Sequence, residues 1–348
     1  MVEERIFLYT HPFELESGEV LPGFQLAYTT YGTLNQEKNN AIWVCHALTG
    51  NAQAKDWWKG LFGPGQLYDP AHHFIVCANM LGSCYGSTGP LSVDPRTQKP
   101  FYHDFPAITN RDVVRSFNLL REYLQIDIIH TLIGGSMGGQ QALEWTIMYP
   151  GAVQYLVQVA SNAQHSPWGI AFNETQRMAI QHDATWPGRS PEAGLEGMRT
   201  ARAVALLSYR HYTTYAQTQS DETAEKIDHF RAASYQQYQG EKLAKRFNAF
   251  TYWTLSKAMD SHHVGRGRSG VGAALQQIKA QCLFIGVDTD LLFPVSEQQW
   301  LAQHVPNAQL FVIASHYGHD GFLIEVGQLT QCIGAFYTQT GALASISS

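Results

Sequence analysis

Residues 128–150 read IIHTLIGGSMGGQQALEWTIMYP. An apolar run stops at Gly134-Gly135, Ser136 follows, Gly138-Gly139 come next, and Ala142, Leu143, Trp145 and Ile147 then recur at helical spacing as far as Tyr149-Pro150. The pattern predicts a fully buried strand, a tight turn and a helix over 137–149. Embedded in the turn is G-x-S-x-G, which places its serine on a sharp, strained strand-to-helix bend. Neighbours without side chains let the turn close and let a substrate reach Ser136 Oγ. The helix start adds free N–H groups and a positive dipole end, suited to a developing oxyanion.

Other strand-like runs fall at 41–47, 73–78, 153–160, 282–287 and 309–314, and helical patterns at 110–124 and 295–304. Strands alternating with helices predict an α/β chain whose mostly parallel sheet is wrapped on both faces. Residues 24–32 alternate more and predict an antiparallel edge strand. The alternation breaks between 163 and 275, a strand-poor stretch too aromatic for disorder. The expected organisation is a core domain from 1–162 and 276–348 with a helical lid domain at 163–275.

Net charge is −6 over 348 residues, which argues against nucleic acid as a partner. The acidic start MVEERIFLYT predicts no secretory leader, and no apolar run reaches membrane-spanning length, so a cytoplasmic protein is expected. Of five cysteines without C-x-x-C, Cys45, Cys77 and Cys282 lie within strand-like runs and read as reduced core residues, while Cys84 falls in a loop with no recognisable cysteine-enzyme context. The adjacent pairs His72-His73 and His262-His263 do not share a face, and no metal site is expected.

A serine nucleophile needs a base and an acid. On this type of scaffold the chain order is Ser, then Asp or Glu, then His. The strand at 282–287 runs into DTDLLFP and that at 309–314 into SHYGHDGF. Both follow the C-terminal ends of strands, where ligands bind in open α/β sheets. The acid is Asp288 or Asp290 and the base His316 or His319; Gly318 favours His319 by loosening the loop before it. The oxyanion hole needs two N–H donors: Met137, following the nucleophile, and Leu48, in the loop CHALTGNAQA after an early strand.

Several longer segments are narrower than this general pattern: CHALTGNA, NMLGSCYGSTGPLSVDP, DFPAITNRDVVRS, GGSMGGQQALEW, TARAVALLSYR, SYQQYQGEKLAKRFNAFTYWTLSKAMD, DTDLLFP and GHDGFL. Over residues 6 to 335 the chain resembles the homoserine O-acetyltransferases, acyltransferases on the α/β-hydrolase fold. The resemblance implies Asp290 as the acid and His319 as the base. It implies that Asp320 holds the acceptor's amino group and Arg202 its carboxylate, with Tyr209 nearby. It also implies a ping-pong cycle in which acetyl-CoA acylates Ser136 and L-homoserine takes the acetyl group, toward methionine, with no permanently bound cofactor and with a homodimer built through the lids. Physics suits those roles, because an amino acid carries an ammonium and a carboxylate that call for an anion and a cation. Three positions depart from the family pattern: Leu91 in GPLS, His103 in YHDFP and Gly321 in GHDGF. The first two are expected to line the acyl or acceptor pocket. A succinyl donor, a serine acceptor, or water as acceptor in an esterase or thioesterase are the alternatives.

Overall fold

The structure is a computed structural model that describes residues 3–341. Eight strands form one sheet: β1 (Glu3–Tyr9), β2 (Phe24–Tyr31), β3 (Ala41–Cys45), β4 (Phe74–Ala78), β5 (Ile129–Gly135), β6 (Val153–Val159), β7 (Gln281–Val287) and β8 (Ala308–Ile313). Their order across the sheet is β1-β2-β4-β3-β5-β6-β7-β8. From β4 onward every pairing is parallel, while β1 and β2 are antiparallel additions.

The parallel strands read as near-continuous apolar runs because both faces are covered. Side chains alternate across them. Trp43 points to one face, where Trp145 and Phe117 pack against it at ring-centroid distances of 4.9 and 5.9 Å. Ile42 and Val44 point to the other, into a layer with Trp58, Phe336 and Tyr337. The first layer is closed by helices α1 (Asn110–Tyr123) and α2 (Met137–Met148). α1 begins on a reciprocal cap, with Thr109 accepting from the backbone of Asp112 and Asp112 from that of Thr109.

Between β6 and β7 lie α3 (Pro167–Gln181), α4 (Leu195–Tyr209), α5 (Tyr212–Thr218), α6 (Arg231–Ala244) and α7 (Ala249–Asp260). The insertion is pinched at its base: His165 N–H donates to His262 O at 3.0 Å and Val264 N–H to Ala163 O at 3.0 Å. Its buried side chains Ile180, Met198, Leu243, Tyr252 and Leu255 join the core on the α1/α2 face. Two more helices complete the core, α8 (Val295–His304) and α9 (Val326–Thr340).

Residues 24–32 do not form an edge. The strand there is antiparallel, but β1 pairs along it from Glu3↔Thr30 to Tyr9↔Phe24, so β1 is the outer strand. Phe7 of β1 is buried whereas Ile6 and Leu8 are exposed, the alternation of a strand covered on one side. The nucleophile strand also runs two residues past its apolar stretch, because Gly134 and Gly135 still pair with Gln158 and Val159.

Candidate active site

Ser136 sits between β5 and α2 with φ 56° and ψ −127°. A positive φ on a residue with a side chain costs on the order of 1–3 kcal/mol and persists only when its surroundings enforce it. Three contacts do so: Ser136 N–H donates to Val159 O at 3.0 Å, and Ser136 O accepts from Ser161 Oγ at 2.7 Å and from Gly139 N–H at 2.9 Å. The flanking glycines supply room, not dihedral freedom, since none of the four has a positive φ. A Cβ on Gly134 would stand 2.3 Å from Gly138 O, and one on Gly138 only 2.1 Å from Cys45 O. Gly135 and Gly139 meet the Phe322 ring and the Ser161 side chain in the same way. The first turn of α2 therefore packs directly on the backbone at the end of β3.

The loops after β7 and β8 bring two further side chains to this turn. His319 Nε2 lies 2.9 Å from Ser136 Oγ, and His319 Nδ1 lies 2.7 Å from Asp290 Oδ2. Asp290 Oδ1 accepts from the N–H groups of Leu292 and Phe293 at 2.8 and 2.9 Å, which aims the carboxylate. Asp290 accepts, so Nδ1 carries the imidazole proton and Nε2 is free to accept the serine proton. Ser136, Asp290 and His319 are all buried. The rings of Phe293 and Phe322 flank His319 at 5.1 and 5.2 Å. Such a hydrogen-bonded chain, shielded from water, can take a proton from a hydroxyl and return it.

The alternatives lie elsewhere. Asp288 is exposed and accepts from Ser315 N–H at 2.9 Å. His316 is exposed, and its carbonyl accepts from Thr214 of α5. Gly318 adopts φ +64°, and a Cβ there would come within about 3 Å of the backbone of Tyr209, Arg210 and His211. The insertion thus rests on the turn that carries His319.

Leu48, in the loop after β3, and Met137, the first residue of α2, are both buried. Among the described residues neither backbone N–H donates to a protein acceptor.

Arg202 and Tyr209 are seven residues apart on α4, hence on one face. The Arg202 guanidinium lies 5.3 Å from the Tyr209 ring centre, and that ring lies 5.7 Å from His319. Burial pushes the Tyr209 hydroxyl above its ordinary pKa, with Arg202 opposing the shift and Asp320 adding to it. Asp320 is next to His319 in sequence, and its Oδ2 lies 2.8 Å from Arg210 Nε. The approach is poorly directed for a hydrogen bond, leaving an ion pair rather than an aligned N–H···O. Arg210, Phe293 and Phe322 escaped the sequence reading. Each stands within one of the motifs read there, but only the fold shows what its side chain faces.

The departures from the family pattern prove local. His103 Nε2 donates to Trp186 O at 2.8 Å and its ring packs on Trp186 and Phe250. It lines a cavity of about 550 Å³ with Tyr102, Trp253 and Lys257. Leu91 lines a separate cavity with Ser83, Cys84 and Thr251. Neither cavity is bounded by Ser136, Asp290 or His319. His103 is itself exposed, and Trp186 and Phe250 of the insertion, distant in the chain, are brought to it only by the fold. At Gly321, a Cβ would meet Ser315 and Val287 at 2.8–2.9 Å, so glycine suits this chain's packing.

Comparison with known proteins agrees with this architecture. A family model described as the alpha/beta hydrolase fold matches residues 40–326. The homoserine O-acetyltransferase of Cyclobacterium marinum is 54% identical over 336 residues, covering 97% of this chain and 95% of that protein. The crystal structure of homoserine O-acetyltransferase from Bacillus anthracis superposes with a TM-score of 0.88 at 25% identity, covering 97% of each chain. An esterase structure superposes equally well, with a TM-score of 0.88 at 27% identity over 97% of this chain and all of that one. The superpositions do not separate the two activities, but 54% identity over nearly the full length does show the family: the chain belongs to the homoserine O-acetyltransferase family of the α/β-hydrolase fold.

Proposed function

We propose that the protein transfers the acetyl group of acetyl-CoA to the side-chain hydroxyl of L-homoserine through an acyl-Ser136 intermediate. The observation that carries this reading is a pair of opposite charges beside the Ser136–His319–Asp290 chain: Arg202 over the Tyr209 ring that neighbours His319, and Asp320 next to His319 in sequence. An esterase has no need of such a pair. An α-amino acid acceptor does, because its carboxylate suits the planar fork of Arg202 and its ammonium suits Asp320.

In the first half-reaction His319 Nε2 takes the proton of Ser136 Oγ as the oxygen attacks the thioester carbonyl. The Leu48 and Met137 N–H groups receive the oxyanion. The C–S bond then breaks, His319 returns the proton to the departing sulfur, and CoA leaves. In the second, His319 takes the proton of the homoserine hydroxyl, whose oxygen attacks the acyl-serine carbonyl. Collapse returns Ser136 Oγ–H and releases O-acetyl-L-homoserine. No permanently bound cofactor takes part. The insertion acts as a lid that keeps water from the acyl-enzyme. Water as acceptor is the second reading, favoured by the close superposition with an esterase.

Free-thiol release from acetyl-CoA and succinyl-CoA, each with L-homoserine, L-serine or no acceptor, tests the proposal. Release that requires homoserine and acetyl-CoA is expected; equal release without an acceptor makes the protein a hydrolase. The reading also includes a cytoplasmic homodimer joined through the insertions. Exposed Trp168, Ile170 and Met178 on α3 and Leu207 on α4 supply apolar surface for it, and a one-chain mass by light scattering at micromolar concentration would overturn it.

A further inference from the structure

His46 is a buried imidazole that the chemistry above does not use. It follows β3 directly and opens the loop that carries Leu48, and its side chain is wholly enclosed. Nδ1 lies 2.9 Å from Ala47 O, and Nε2 lies 3.2 Å from Met80 N. A carbonyl oxygen only accepts and a backbone N–H only donates. The tautomer follows from both sides: Nδ1–H donates to Ala47 O, and Nε2 accepts from Met80 N–H. Burial draws the imidazole pKa down to about 4, in keeping with a ring that stays neutral.

The Ala47 carbonyl accepts a second hydrogen bond, from Gly50 N–H at 2.8 Å. This carbonyl belongs to the same planar peptide as the Leu48 N–H, and in a trans peptide the two point in opposite directions. Two donors anchoring the oxygen therefore aim the N–H away from them. They also polarise the peptide, which strengthens the N–H as a donor. The Leu48 N–H has no acceptor of its own among the described residues. Behind it, the Cys45–His46 backbone is the surface on which Gly138 packs the first turn of α2.

We propose that His46 is a positioning residue for acyl transfer: its Nδ1–H holds the Ala47–Leu48 peptide so that the Leu48 N–H faces the oxyanion formed at Ser136. The inference rests on the reading of Leu48 as an oxyanion donor.

Two substitutions separate the two ends of the ring. In His46→Asn the amide nitrogen lies as many bonds from Cβ as Nδ1 does, so the donor to Ala47 O is kept. In His46→Gln the amide oxygen lies as many bonds out as Nε2, so the acceptor for Met80 N–H is kept and the donor to Ala47 O is lost. The readout is the burst of p-nitrophenol from p-nitrophenyl acetate, per Ser136 titrated with a fluorophosphonate. This burst needs the nucleophile and the oxyanion hole but neither CoA nor homoserine. His46→Asn is expected to keep the native burst rate within about threefold. His46→Gln is expected to slow it by about 10- to 100-fold, below the 10²–10³ that losing a whole oxyanion donor costs. Equal losses in both variants, or a native rate in His46→Gln, overturn the proposal and leave the homoserine assay untouched. A slow His46→Gln beside a native protein that releases no thiol with homoserine would remove the transferase reading and keep His46 in this role.

Discussion

At Ser136 the backbone is strained and the side chain is already hydrogen-bonded to its base, with Asp290 behind. Arg202 differs in kind: it contacts the Tyr209 ring and has no place in that chain of proton transfer. The two residues therefore fail differently. Ser136→Ala is expected to abolish acyl transfer and leave the thermal midpoint close to native. Arg202→Ala is expected to lower kcat/KM for homoserine by about 10- to 100-fold, the worth of a hydrogen bond to a charged group. It should spare the pre-steady-state release of CoA. Parallel loss of acylation would make Arg202 structural or a contact of the donor.

At the scale of elements, the site depends on how closely α2 approaches β3. A Cβ at Gly138 would sit 2.1 Å from Cys45 O, and backbone cannot give way as a flexible side chain does. Gly138→Ala is expected to cost at least about 1–3 kcal/mol, as overpacked sites do, and to lower the rate by lifting Met137 from its position. Gly151→Ala is the control, because nothing lies within 4 Å of that added carbon. Equal thermal midpoints for the two variants would refute this account of the glycine cluster. The same contact explains a limit of the sequence. The spacing G-x-S-x-G announces a turn with a nucleophile, but not that its second glycine is reserved for the end of β3.

Across the whole molecule, an ion network ties the N-terminal loop, the helix layer and the chain returning from the insertion. Glu16 bonds Arg266 at 2.8 and 2.9 Å and Arg111 at 2.9 Å, while the buried Glu144 of α2 bonds Arg111 and Arg268. Burial alone would raise the Glu16 pKa, but the hydrogen bond from Arg266, with Arg111 adding its charge, holds it at about 2 against an ordinary 4.5. A depressed carboxyl stabilises the fold fully above its unfolded pKa and loses that contribution as pH falls toward the folded one. The thermal midpoint should therefore drop between about pH 4.5 and pH 2, and Glu16→Gln should flatten that part of the profile while lowering the midpoint at pH 7. An unchanged slope in scanning calorimetry would place the acid sensitivity elsewhere.

Local pattern determined much of this protein. The buried strand, the glycine-flanked serine and the following helix are written in contiguous residues, because period and turn chemistry are local properties. The same holds for the strand ends that carry Asp290 and His319. Choosing between Asp288 and Asp290, or His316 and His319, was beyond spacing alone, since neighbours in a loop differ only in where they point. The fold decided that by turning Asp290 onto the N–H groups of Leu292 and Phe293 and sending Asp288 to Ser315. It also decided what lies far apart in the chain: β1 outside β2, Arg210 against Asp320, and His46 beneath Leu48 with its far nitrogen on Met80. Those contacts join residues separated by 15 to over 100 positions or depend on side-chain direction, and only packing fixes either.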